Sequence, residues 1–371
     1  MNKDKNEFFI HLLFALVFIA LSLLLYYTIT TFGLGKGDER IKVGFILDGD
    51  REDNGWNQVN ADGIYEARDN LDFDLMLADN INGSELNLYK AVKEMQDEGC
   101  HVVVLSSSNF ESLMEKYSGE FSDITFFCNA PTKGVLNFVN YSSRLYQVRY
   151  LSGVIAGMMT KTNNIGYVAS IQNADTNTGI NAFALGAEKV NANVHVHVMF
   201  IGSYSDREKE MEYADRMIKE MDCDIITDHT NTNNALETAF ANNAYYIGCH
   251  KSSGSPRELI SVDTDWGKVY TELIKEYMRG NVVTNSGYWY GIEDDYVKLG
   301  FCSYLVPSYV LDKMESEKRL IVSGRDVFTN MIRDNKGNVI CRSGEVIPDD
   351  ILNSDMDWYV RGVNIIDEQD Q

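Results

Sequence analysis

From Ile41 onward, short apolar runs ending in turn-forming residues alternate with stretches whose apolar residues recur every three or four positions. Strands that are apolar throughout must be covered on both faces, and strand–helix alternation supplies that cover by laying helices on either side of a parallel sheet. KVGFILDGD, CHVVVLSSS and DITFFCN are such runs in the first part of the chain. NNIGYVAS, VHVHVMFIG, CDIIT and AYYIG form a second series that begins near Asn163. Helical patterns lie between them. Ser84 is placed to cap one that carries Leu88, Val92 and Met95 and closes at Gly99. Ile180, Phe183, Ala184 and Ala187 mark another. Ser205 and Glu208 have capping-box spacing ahead of Met211, Ala214, Met217 and Met221. Two series imply an α/β protein of two doubly wound parallel-sheet lobes. Ligands of such sheets bind outside the carboxyl ends of the strands, so a ligand cleft is expected between the lobes. The expected limits are 37–160 for the first lobe, completed by about 286–371, and 161–285 for the second.

Residues 1–36 read differently. Phe8 to Gly35 contains no Asp, Glu, Lys or Arg, and FFIHLLFALVFIALSLLLYY is 20 residues long. As a helix it spans about 30 Å, the thickness of a bilayer's hydrocarbon. A cleaved signal peptide has a shorter apolar region and a small-residue cleavage site. A lipoprotein needs a cysteine just behind that region, and the first cysteine here is Cys100. The segment therefore reads as an uncleaved signal-anchor. It makes this a single-pass protein of the cell membrane, one N-terminal transmembrane helix preceding an extracellular binding domain.

The 33 Lys+Arg against 55 Asp+Glu give a net charge of -22. So acidic a surface repels nucleic acid and disfavours phosphorylated ligands. The six cysteines have no C-x-x-C spacing, which argues against zinc and redox sites and leaves disulfide pairing open. There is no G-x-G-x-x-G after the first strand, no P-loop, no G-x-S-x-G and no H-E-x-x-H. His195 and His197 alternate with valines and belong on one face of a strand. No catalytic residue, cofactor or metal ligand is expected.

The chain does offer aromatic and polar groups at strand ends. DNGWNQ follows the first strand and puts Trp56 and Asn57 at a cleft edge. An indole face and an amide suit a flat heterocycle, although Trp56 would equally serve to pack the first helix on its sheet. Ser107 and Asn129 end strands at the ligand edge, where they also make ordinary turns. His250 ends a second-series strand and can bond a ring nitrogen or a hydroxyl. Trp266 and Trp289 could close an aromatic cage or simply pack. Position alone puts Phe183 in the core.

Several of these stretches together resemble the basic membrane protein family of substrate-binding lipoproteins, which includes bacterial purine nucleoside receptors. The resemblance runs from about Ile41 to Ile365. It rests on the order and spacing of DNGWNQ, YLSGVIAGMMTKTNNIGYVAS, INAFALGA, IGSYSD, TDWGKVY, VFTNMIRDNKGNVICRSGE and MDWYVRGV. It implies the type I periplasmic-binding fold and uptake of a purine or nucleoside, the ligand passing to an ABC transporter permease. It also implies that Trp56 and Phe183 sandwich the base, that Asn57 is a polar contact and that Trp289 is a family aromatic. The chain departs from the family at Asn129, where nucleoside binders carry a carboxylate. It departs again near His250, where they carry an acid, and near Thr264, where they carry a base. These departures favour a free base or another small neutral heterocycle. A sensory receptor ectodomain on the same fold and a nucleoside-processing enzyme are the competing readings.

Overall fold

The computed structural model describes residues 11, 14, 16–24, 26–27, 40–82, 84–250 and 252–366. The chain divides into an amino-terminal unit, Met1–Ile41, and a compact unit, Lys42–Gln371. In the first, the described residues from His11 to Tyr27 are helical, and Phe14, Phe18, Leu23 and Tyr26 are exposed. No helix among the described residues is long and apolar enough to cross a membrane. The rest of the expected anchor lies outside the described residues.

The second unit opens with β1 (Lys42–Ile46), α1 (Trp56–Leu71), β2 (Asp74–Ala78), α2 (Glu85–Asp97), β3 (Val102–Leu105), a short α3 (Glu111–Glu115), β4 (Thr125–Asn129) and β5 (Phe138–Ser143). The chain then crosses to a second lobe with α4 (Leu145–Met159), β6 (Asn164–Ala169), α5 (Ala174–Val190), β7 (His195–Phe200) and α6 (Arg207–Met221). That lobe continues through β8 (Ile225–His229), α7 (Ala235–Ala241), β9 (Tyr245–Cys249) and β10 (Glu258–Thr264). It returns to the first lobe for α8 (Trp266–Met278) and β11 (Ser286–Tyr290). A further crossing leads to β12 (Val297–Cys302), α9 (Ser308–Val322), the hairpin β13 (Ile332–Arg333) and β14 (Val339–Cys341), α10 (Asp349–Ser354) and β15 (Val363–Ile365).

Two sheets result, in the orders β11-β5-β4-β3-β1-β2 and β12-β10-β9-β8-β6-β7-β15. Every pairing is parallel except that of β12 with β10. The unbroken apolar runs behave as their composition requires: all four residues of β3 and all five of β8 are buried. Ser84 caps α2 by accepting from the Asn87 N–H. The cap of α6 is Asp206 rather than Ser205, its Oδ1 accepting from Lys209 N at 3.1 Å. All six cysteines are free thiols, with Cys302 exposed.

The lobe boundaries differ from those expected. The second lobe begins at Leu145 rather than 161, because α4 lies against α5. The contact is backbone to backbone: a Cβ on Gly153 would sit 2.0 Å from the Phe183 carbonyl oxygen, and one on Gly186 1.9 Å from that of Tyr150. The carboxyl-terminal segment also joins the second lobe, since β12 pairs with β10 and β15 with β7. Only α8 and β11 return to the first lobe. There α8 packs on α1, where a Cβ on Gly63 would meet Trp266 at 2.6 Å. Within the second lobe, Glu317 of α9 binds Lys313 at 2.7 Å, Arg325 at 2.6 Å and the Tyr150 hydroxyl of α4 at 3.0 Å.

Away from the crossover strands the lobes touch through the first turn of α1. Asp53 satisfies three of that turn's N–H groups, accepting from Gly55 at 2.8 Å, Asn57 at 3.1 Å and Gln58 at 3.0 Å. The Trp56 N–H is left over, and it donates across the cleft to the Asn231 carbonyl at 2.9 Å. The approach is so close that a Cβ on Gly55 would lie 1.6 Å from that oxygen.

Two outcomes follow from this packing. Burial works against the Glu317 charge, but its partners hold the carboxyl down at about 2. Its contribution is whole above the ordinary carboxyl pKa and fades as pH falls toward about 2. Glu317→Ala should cost about 1–3 kcal/mol near neutral pH, and denaturant titrations should find that gap narrowing in acid. Gly55→Val should hold the lobes apart. Its radius of gyration by small-angle scattering should stay at the open value under conditions that close the wild-type protein. Its melting temperature should change little, because residue 55 belongs to none of the hydrophobic core clusters of the described residues.

Candidate functional site

The carboxyl ends of both sheets converge on a cavity of about 240 Å³. The first lobe contributes Asp48 behind β1, Ser107 behind β3, Asn129 at the end of β4 and Ser143 at the end of β5. The second contributes Ser170 behind β6, Tyr204 behind β7, His229 at the end of β8 and His250 behind β9. Asp175 and Thr176 come from the first turn of α5, whose amino end Asn173 caps by accepting from Thr176 N at 2.9 Å. Trp56 and Trp266 begin α1 and α8 and form the aromatic wall. The Trp56 ring stands edge-on to His250 at 5.1 Å and to Trp266 at 5.3 Å between centroids.

Several polar atoms here lack partners within the protein. Asp48 Oδ1, Asn129 Nδ2 and His250 Nδ1 are buried without a hydrogen bond, and all three residues line the cavity. Buried polar atoms in folded proteins are rarely left so, ordered water or a ligand being the usual partner. Burial pushes the Asp48 carboxyl up, while Ser107, Asn109 and Asn57 nearby draw it back. Burial, reinforced by the Arg149 charge, pushes His250 down to about 3 and His229 well below its usual value. Both imidazoles are therefore neutral at physiological pH, each with one donor and one acceptor nitrogen. The Asp175 side chain opens onto the cavity, and its Oδ2 is 3.9 Å from His229 Nε2. Among the described residues the lining carries two carboxylates and neither Lys nor Arg, a setting that disfavours an anionic ligand.

Of the residues expected at the site, Trp56, Ser107, Asn129, His250 and Trp266 come together in this cavity. Asn57 does not. Its Oδ1 accepts from Gly49 N at 3.1 Å and its Nδ2 donates to Asp53 at 2.9 Å, so it is spent on the turn that precedes α1. Phe183 is fully buried in the second-lobe core, its ring 5.7 Å from Tyr167. It lies on the face of α5 that packs against α4, and it cannot be the second half of a sandwich with Trp56. Trp289 lines a smaller recess behind the cavity and is covered by the Arg144 guanidinium at 4.2 Å. His195 and His197 lie along β7, where His197 Nε2 is 2.9 Å from Asn164 Oδ1. Among the described residues no cluster of His, Cys, Asp or Glu could hold a metal ion.

Sequence reasoning passed over Asp48, His229 and Asp175. The first two had a usable signal, because each directly follows or ends an apolar strand. Asp175 had a weaker one, two residues past the asparagine that caps α5. Asn353 had none, since it reaches the cavity from a short helix far along the chain.

A family model described as ABC transporter substrate-binding protein PnrA-like matches residues 40–325. A purine-binding protein of Brucella abortus (strain 2308) is 27% identical over 339 residues, covering 90% of this chain and 95% of that one. Among solved structures, a transcriptional activator of the comK gene from Bacillus halodurans superposes with a TM-score of 0.67 at 21% identity. It covers 76% of this chain and 98% of the other. An ABC transporter solute-binding protein from Aeropyrum pernix K1 gives 0.66 at 17% identity, covering 79% and 93%. Both superpositions establish the two-lobed α/β fold of periplasmic-binding type. With its motifs, its paired sheets and its interlobe cavity in agreement, the chain belongs to the PnrA-like family of ABC transporter substrate-binding proteins.

Proposed function

We propose that the protein captures a purine base, a nucleoside or a heterocycle of similar size between its lobes and delivers it to an ABC-type permease. The observation that carries this reading is the wall of the cavity: the Trp56 indole stands beside unpartnered hydrogen-bonding atoms of Asp48, Asn129 and His250. A flat heterocycle has a π-face for the first and ring-edge donors and acceptors for the others. The purine-binding relative, similar over 90% of this chain, supports the same ligand class. Two carboxylates among the described lining residues favour a neutral ligand over a phosphorylated one. Capture and release need no chemistry from these side chains, only closure around the ligand and reopening. The apolar run from Phe8 to Tyr27 would hold the protein at the cell membrane with the binding unit outside.

The ligand is tested by thermal-shift screening of the full-length protein with purine bases and nucleosides. A ligand at about 100 times its Kd should add roughly 2.7 kcal/mol of stability. No shift with any purine would refute the reading. For the ligand found, Trp56→Ala should weaken calorimetric affinity by about 1–3 kcal/mol, the size of one stacking contact. The anchor predicts that the amino terminus is retained and that the protein stays with membranes through a high-salt wash. A processed, soluble form would remove it.

A further inference from the structure

The short helix α10 is held in place from two sides. Asp349 at its start accepts two hydrogen bonds from Arg144, at 3.3 Å and 2.8 Å. From α5, Thr178 Oγ1 donates to the Leu352 carbonyl at 2.9 Å and Asn177 Nδ2 to the Met356 carbonyl at 2.7 Å. Leu352 and Met356 are buried. Asn353, between them, is half-buried and lines both the cavity and the recess behind it. It lies beyond residue 325, where the match to the family model ends. Among the described residues its amide has no hydrogen-bond partner.

Asp175 and His229 line the same two spaces. The Asp175 side chain is 71% exposed, so a ligand in the cavity can reach it, and the His229 side chain keeps 11% of its surface. Asp175 Oδ2 stands 3.9 Å from His229 Nε2, too far for a hydrogen bond. His229 Nδ1 lies 3.5 Å from the Tyr167 hydroxyl, and the carboxylate opposite favours the imidazole proton on Nε2. An acceptor and a donor therefore face each other across a gap. A hydroxyl oxygen standing beside that gap comes within about 2.8 Å of both. It donates to the carboxylate and accepts from the Nε2–H. A carbonyl oxygen cannot donate, and the amino group of a heterocycle cannot accept.

Charge selects in the same direction. Arg149 is fully buried at the back of the recess, where no ligand touches it, yet its charge opposes the burial that raises the Asp175 carboxyl. A group arriving from the cavity meets the carboxylate first, which repels an anion at the point of contact. The guanidinium behind offsets the pull on a cation. The place suits a neutral group.

We propose that Asp175, His229 and Asn353 form a hydroxyl-reading subsite of the cavity, and that the ligand carries two neighbouring hydroxyls, as on the ribose of a nucleoside. One hydroxyl bridges Asp175 and His229. The Asn353 amide, donor and acceptor at once, takes the other. This rests on the purine reading above and narrows it: the ring lies against Trp56, and its sugar points to the rear of the cavity.

Calorimetry on the full-length protein compares three forms of each of adenine, hypoxanthine and guanine: the free base, the ribonucleoside and the 2′,3′-dideoxyribonucleoside. For a base that binds, the ribonucleoside should bind at least about tenfold more tightly than either other form, because a site built to bond a hydroxyl rejects the analogue that lacks it. Asp175→Ala and Asn353→Ala should each lower that preference at least about threefold and leave the affinity for the dideoxy form nearly unchanged. Neither side chain has a hydrogen-bond partner among the described residues, so both variants should keep the wild-type melting temperature. A free base or dideoxy form that binds as tightly as the ribonucleoside overturns this proposal and leaves the purine reading intact. So does a preference that stays unchanged in either variant. Binding of none of these compounds overturns both.

Discussion

The second lobe is organised by the contact of α4 with α5, where glycines let two helix backbones meet with nothing between them. Gly153 faces the carbonyl of Phe183, and Gly186 faces that of Tyr150. Any side chain at either place would push the helices apart. Both helices begin beside the ligand cavity, so their spacing also sets the spacing of what they carry there. Arg149 leaves α4 one turn before Gly153. Asp175 and Thr176 form the first turn of α5. The distance between that buried cation and the cavity-facing carboxylate is thus governed by the packing of the two helices.

A similar economy operates in the first lobe. The carboxylate of Asp53 bonds three N–H groups in and around one helical turn and leaves Trp56 to reach across to Asn231. The same turn presents the Trp56 indole to the cavity. Lobe closure and ligand contact are consequently linked through a single residue, one through its backbone and the other through its side chain. Neither needs a charged group at the entrance, which suits a protein whose surface is already strongly acidic.

The architecture was legible because it depends on periodicity. Continuous apolar strands separated by helical patterns admit few arrangements, and both sheets form where those runs stand. Strand ends were legible too: Ser107, Asn129 and His250 reach the cavity because parallel strands in one sheet end at one edge. The failures have separate physical causes. Phe183 sits on the helix face that its own periodicity assigns to the core, and the family resemblance pointed against that reading. Asn57 is drawn into a local turn by Asp53, an interaction between neighbours that residue type alone does not reveal. The lobe limits failed because crossings between lobes leave no mark in composition, and the strands on either side of each crossing look alike.

The placement of β15 has a consequence for how the protein is made. Val196 in β7 pairs with Val363, so one edge of the second sheet is completed by a segment far along the chain. Contacts of such long sequence separation form slowly, since a large loop must close before they are rewarded. Until then β7 is an apolar edge strand with unsatisfied backbone groups, open to pairing with any other extended segment. During synthesis the protein's greatest exposure to aggregation should therefore come in the interval between the emergence of β7 and the arrival of β15.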